Sequence, residues 1–82
     1  MDPCYPNPVK NNTTFKFYIN TPETVTLKIH TLDGREIKSV IDRRMASGEH
    51  QVTTDLSNLP VGTYMYRLKA GVFERTMKLI RL

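Results

Sequence analysis

Apolar and polar residues alternate one for one along most of this chain, and turn residues interrupt the alternation every eight to twelve positions. That pattern constrains the fold more than anything else in the sequence, because it matches a strand with one buried face and no helix. In "TTFKFYIN", Phe15, Phe17 and Ile19 alternate with Thr14, Lys16 and Tyr18. Pro22 ends that strand. "TVTLKIHTL" places Val25, Leu27 and Ile29 on one face and Thr26, Lys28 and His30 on the other. Asp33-Gly34 predicts a two-residue hairpin turn with both central residues at positive φ. "EIKSVID" returns, with Ile37 and then Val40 or Ile41 inward, a shift of parity that predicts a bulge.

"RRMASGEH" reads as a polar connection hinged at Gly48, and "EHQVTTDL" as a strand centred on Val52. Pro60 and Gly62 tighten the next turn. Tyr64, Tyr66 and Leu68 then share the packing face of a strong strand, Ala70-Gly71 makes a second hairpin, and a last strand runs from about Val72. Six to seven short strands with regular turns predict an all-β fold: an antiparallel β-sandwich of the immunoglobulin-like or fibronectin-like kind.

With 82 residues the chain makes one domain with a small core and no room for a large catalytic cleft. Residues 1–12 form a lead-in and residues 13–82 the sandwich. An apolar fraction of 39% sets it apart from disordered chains. Cys4 is the single cysteine, so neither an internal disulfide nor a cysteine-based metal site is available. No apolar run approaches membrane-spanning length, and no signal peptide is visible. Met1-Asp2 reads as a start placed on a fragment of a longer protein. The net charge of +4 has a location: acids and bases cancel up to Tyr66. Beyond it stand Arg67, Lys69, Arg75, Lys78 and Arg81 against Glu74 alone. Such a strip guards a sheet edge against aggregation or serves a partner.

Residues that could carry chemistry do not converge in the sequence. His30 and His50 lie on different strands without ligand spacing. The carboxylates are scattered, mostly near turns, and Ser39, Ser47 and Ser57 lack a nucleophile-elbow context. No glycine-rich phosphate loop is present, and Cys4, among prolines, reads as an exposed and inert thiol. Tyr64 and Tyr66 belong to the packing face rather than to a base-stacking platform, which argues against nucleic acid as a partner. The expectation is a protein that is not an enzyme and needs no cofactor.

Two segments resist a purely structural account. "VFERTMKLIRL" puts Phe73, Met77 and Leu79 on one face but Ile80 and Leu82 on the other. Either a bulge re-aims the end, or the end is an extended apolar and basic handle suited to strand addition. "YPNPVKNN" sets prolines at 6 and 8, which fix φ and remove amide donors. It reads as a stiff, extended segment kept from pairing with the sheet, guarding an edge or offering itself to a processing enzyme.

The order of "YPNP", "VTLKIHTLDGREI", "SGEHQVTTDLSNLPVGTYMYRL" and "KLIRL" resembles the type A C-terminal sorting domain of the Bacteroidetes type IX secretion system. It is also similar to the immunoglobulin-like domain of flagellar hook-capping proteins. By position, Tyr5, Pro6, Asn7 and Pro8 match the family's lead-in motif, with Cys4 where an aliphatic residue is usual. Gly62, Thr63 and Tyr64 match its G-x-Y strand start, and Lys78, Leu79, Ile80, Arg81 and Leu82 its tail.

The resemblance implies an address label for an N-terminal cargo domain of the same chain. Its partners would be an outer-membrane translocon, a shuttle protein and a sortase-like peptidase that cuts the label off, after which the cargo is joined to an anionic lipopolysaccharide. Its location would be the periplasm in transit, then the cell surface or medium. Removing Lys78 to Leu82 is expected to abolish export while leaving the fold nearly intact. The alternative is a non-catalytic immunoglobulin-like spacer or interaction domain, carbohydrate-associated or hook-cap-like.

Overall fold

The computed structural model describes residues 1–82 and contains six strands and no helix. In chain order they are β1 (Asn12–Ile19), β2 (Glu23–His30), β3 (Glu36–Met45), β4 (Gly48–Asp55), β5 (Gly62–Ala70) and β6 (Phe73–Arg81). All named pairings are antiparallel: β1 with β4 in one sheet, and β3-β2-β5-β6 in the other. The alternation read from the sequence therefore builds the expected sandwich. Phe15, Phe17 and Ile19 face Val25, Leu27, Ile29, Tyr64, Tyr66, Leu68 and Leu79, all buried.

The predicted bulge is present, and twice. Between Leu27↔Ile41 and Lys28↔Ser39 the strand β3 carries Val40 unpaired, and between Ile29↔Lys38 and His30↔Glu36 it carries Ile37 unpaired. Each extra residue resets the parity of β3. That lets Ile37 and Val40 pack against the core to which Ile41 belongs.

Three local readings differ. At the β2–β3 turn only Gly34 has positive φ, at +94°, and Asp33 does not. Thr31 donates its N–H to Arg35 O (2.9 Å), and Gly34 N–H reaches Thr31 O (3.0 Å), closing a three-residue loop. The Thr31 hydroxyl explains the choice: it donates to the Asp33 carboxylate and accepts from Arg35 N–H, holding Asp33 on the ordinary side of φ. At the β5–β6 turn the central pair is Gly71-Val72, one residue later than expected, with Gly71 at φ +60° and Ala70 paired to Phe73. Arg43 to Met45, read as connection, extend β3, because Met45 is buried opposite Glu23.

The lead-in departs furthest from expectation. Asp2 N–H donates to Lys16 O, and Tyr5 and Thr14 exchange both main-chain bonds (3.0 and 2.8 Å), so residues 2–5 cover the free edge of β1. Four residues later Val9 bridges Arg81 in parallel on the outer edge of β6. Val9 N–H reaches Ile80 O (2.7 Å), and Leu82 N–H reaches Val9 O (2.9 Å). The segment thus crosses from one sheet to the other, and Cys4 and Val9 are core residues. The prolines do not keep it off the sheets, because Tyr5 and Val9 make the main-chain bonds and Pro6 and Pro8 occupy the intervening even positions, where no donor is required. The Tyr5–Pro6 and Asn7–Pro8 peptide bonds are cis.

Candidate functional site at the lead-in and tail

The two segments that the sequence left unexplained meet at one corner of the sandwich. β6 ends there beside the start of β5, with Tyr64 opposite Leu79, Thr63 opposite Ile80 and Gly62 opposite Arg81. The lead-in closes the other side. All the site residues expected from the sequence, Tyr5, Pro6, Asn7, Pro8, Gly62, Tyr64 and Lys78 to Leu82, therefore sit in or beside one structural unit.

Their environments separate them into two groups. Leu79 is fully buried and Tyr64 nearly so, with the Tyr64 hydroxyl donating to Pro60 O (2.5 Å). Arg81 is tied inward: its Nε and Nη2 donate to Leu56 O (2.9 Å) and Ser57 O (3.1 Å). These three hold the corner. Lys78, Ile80 and Leu82 point outward, Ile80 with 37% and Leu82 with 54% of its surface exposed. Tyr5 and Val61 are also open to solvent. Leu82, Pro6, Pro8 and Lys10 line a shallow groove that joins tail to lead-in.

The β5–β6 register is continuous, so no bulge re-aims the end of the chain. The strand alternates, Leu79 in and Lys78, Ile80 and Leu82 out. Phe73, assigned to the inner face, is 45% exposed because it lies beside the hairpin tip, beyond the core. The tail is not a free handle. Its main chain is paired to β5 on one side and to the lead-in on the other.

Asn7 makes the closest link between the halves. Its Nδ2 donates to Lys78 O and its Oδ1 accepts from Ile80 N–H, both at 3.0 Å. The Thr13 hydroxyl, buried in the core, donates to Pro6 O (2.9 Å). Cys4 N–H donates to the Tyr66 hydroxyl (2.9 Å), which in turn points at Met77 Sδ (3.6 Å). The Tyr66 ring stands edge-on to Phe15 with centroids 5.1 Å apart. Burial pushes the Tyr66 phenol up to about 12, opposed by the Cys4 amide that would favour a phenolate.

Sequence reasoning missed Cys4, Val9, Thr13 and Met77 as parts of this unit. Cys4, expected to be exposed, is only 3% exposed, its amide bonded inward to the Tyr66 hydroxyl. Val9 alone carried a signal, as an apolar residue isolated among polar ones.

Elsewhere the candidates stay apart. His30 lies on the outer face of the larger sheet, whereas His50 packs against Phe17 and sits 2.7 Å from Ala46 O. No group of three or more His, Cys, Asp or Glu side chains converges as a metal site. The basic strip of β5 and β6 is partly neutralised, since Arg67 and Lys69 both reach Glu74, at 3.6 and 3.8 Å; beside it, Lys28 of β2 pairs with Glu36 of β3 at 3.3 Å. Lys78 takes part in none of these pairs. At the opposite end of the sandwich an apolar pocket of about 290 Å³ lies between Met1, Phe17, Leu68, Val72 and Phe73.

The fold is an antiparallel β-sandwich whose lead-in and final strand meet at one corner. The sequence matches the family of secretion system C-terminal sorting domains over residues 3–81. No curated protein and no solved structure matches it. The chain belongs to that family: it is a C-terminal sorting signal for type IX secretion. Membership brings interaction with the type IX machinery, attachment to a cargo chain, and export to the cell surface or extracellular space.

Proposed function

We propose that the outer-membrane translocon and its shuttle protein recognise this domain in the periplasm through the corner described above, and that a sortase-like peptidase then removes it. Lys78, Ile80 and Leu82 supply the contact, flanked by Pro6 and Pro8. Leu79, Arg81, Gly62 and Tyr64 shape it from within. The domain acts as an address label and has no catalytic part in this reading.

One observation carries the proposal: the outward residues of the tail stand at the end of the sandwich opposite Met1. Met1 packs beside Val72 and Phe73 at the β5–β6 hairpin tip, whereas Ile80 and Leu82 lie at the far end of β6. The longest dimension of the domain is 36 Å. The chain therefore enters the fold at the end away from the corner. Ile80 and Leu82 offer a partner a small exposed apolar area, and Lys78, outside every ion pair, adds a charge at its polar rim.

Removing Lys78 to Leu82 is not the clean test that the sequence recommended, because Leu79 is core and Arg81 holds the Leu56-Ser57 turn. Substituting outward positions is. A periplasmic reporter fused to the domain is expected to reach the medium from a host with a working type IX system. The double variant Lys78→Glu, Ile80→Glu, with an unchanged melting curve, is expected to stay in the periplasm. Undiminished secretion of that variant would overturn the assignment of the corner.

A further inference from the structure

We infer that Asn7 is the positioning residue of the sorting signal, so that the machinery reads lead-in and tail as one folded surface rather than a linear tail; this rests on the reading just given. An edge strand carries outward N–H and C=O groups on alternate residues. On β6 near its end these belong to Lys78, Ile80 and Leu82. Val9 satisfies Ile80 O and Leu82 N–H from its main chain. Lys78 O and Ile80 N–H remain, and the residue opposite them is Asn7, between two prolines.

Proline has no N–H, so neither Pro6 nor Pro8 can donate to the strand. The side-chain amide of Asn7 replaces the missing peptide group. It carries a donor and an acceptor on one planar unit, as a peptide does. It spends them at 3.0 Å each on Lys78 O and Ile80 N–H. Aspartate at this position would accept from Ile80 but repel the Lys78 carbonyl, and alanine would do neither.

Gly62, the first residue of β5, pairs with Arg81, so Leu82 has no partner on that side. Strand ends with one paired edge fray. Asn7 and Val9 give this one a second paired edge and so keep Lys78, Ile80 and Leu82 as a fixed outward row. The same two residues occupy the edge that an incoming strand would need, so recognition by strand addition at Lys78 to Leu82 is blocked while the latch is closed. A partner that reads the row must fit the latched shape.

The test compares four reporter fusions in a type IX host, with hydrogen exchange and melting measured on the purified domains. Asn7→Ala and Asn7→Asp probe the latch. Val52→Ala, on β4 and half-buried against Phe15, supplies a control of equal or lower stability away from the corner. Lys78→Glu, Ile80→Glu probes the reading beneath. For Asn7→Ala the Ile80 amide is expected to exchange about fivefold faster or more. Asn7→Asp, which keeps an acceptor for that amide but loses the donor to Lys78 O, is read by export. The exported fraction of both Asn7 variants is expected to fall at least several-fold below that of Val52→Ala. If the Asn7 variants are exported as well as Val52→Ala while Lys78→Glu, Ile80→Glu is retained, the positioning role is wrong and the corner stands. If the tail variant is exported too, both fall.

Discussion

Replacing Leu79 by alanine separates a structural tail from a free one. Leu79 has no exposed surface and faces Tyr64 across the β5–β6 pair. Truncating a fully buried leucine costs about 2–5 kcal/mol, the transfer term plus the cavity left behind. A domain of this length has a total stability of about 4–12 kcal/mol, at roughly 0.05–0.15 kcal/mol per residue. A loss of about 3 kcal/mol is therefore a large share of the whole. At about 4–8 °C per kcal/mol for a chain this short, it lowers the melting temperature by some 12–24 °C. Ile80, next in sequence but pointing outward, should cost about 1 kcal/mol or less when cut to alanine. Urea unfolding of the two variants beside the parent, followed by circular dichroism, gives both numbers on one scale. Equal costs for the two positions, or a loss below about 1 kcal/mol for Leu79→Ala, would show that the tail is not the inward-outward strand described here.

Tyr66→Phe removes the acceptor of the buried Cys4 N–H and should cost about 1–3 kcal/mol in the same assay. Because the Tyr66 phenol is pushed up to about 12, its contribution is complete below the unfolded value near 10 and is lost as pH rises toward 12. Unfolding followed across that window should show the decline in the parent and a weaker one in Tyr66→Phe. At the acid end, hydrogen bonds from Thr31 to Asp33 and from Ser57 to Asp55 hold both carboxyls below their ordinary range. Their stabilisation is present above the unfolded value of about 3.9 and disappears as pH falls through the folded values, so Asp33→Asn, Asp55→Asn should flatten the acid limb of the stability profile. Gly71→Ala places a Cβ at φ +60° and 2.8 Å from the Glu23 carboxylate. The backbone strain should cost about 1–2 kcal/mol, since the carboxylate end can swing aside.

Much of the sandwich was legible because period-two alternation maps directly onto buried and exposed faces, as at Phe15, Phe17 and Ile19. A bulge was legible for the same reason, since the apolar parity of β3 slips between Ile37 and Val40, but that there are two was not. Turn details were less so. Asp33-Gly34 fits two hairpin types, and the Thr31 hydroxyl, not the dipeptide, selects between them. The lead-in was hard to read because prolines suggest that pairing is lost at every position near them. They forbid it only at their own, and Tyr5, Asn7 and Val9 use the positions between. The tail was legible as unusual, since Leu79 and Ile80 adjoin in a strand. Its contact with Asn7 spans 71 residues from Lys78 and 73 from Ile80, a pairing that no local pattern encodes.

The most direct test of a folded rather than linear signal is competition for the translocon. The purified domain and a synthetic peptide of the sequence Lys78 to Leu82 are each added to immobilised translocon carrying a labelled copy of the domain. The unlabelled domain should displace the label, and the peptide, lacking Asn7, Val9 and β5, should leave it bound at the same and far higher concentrations. Displacement by the peptide at concentrations matching the domain would contradict the account.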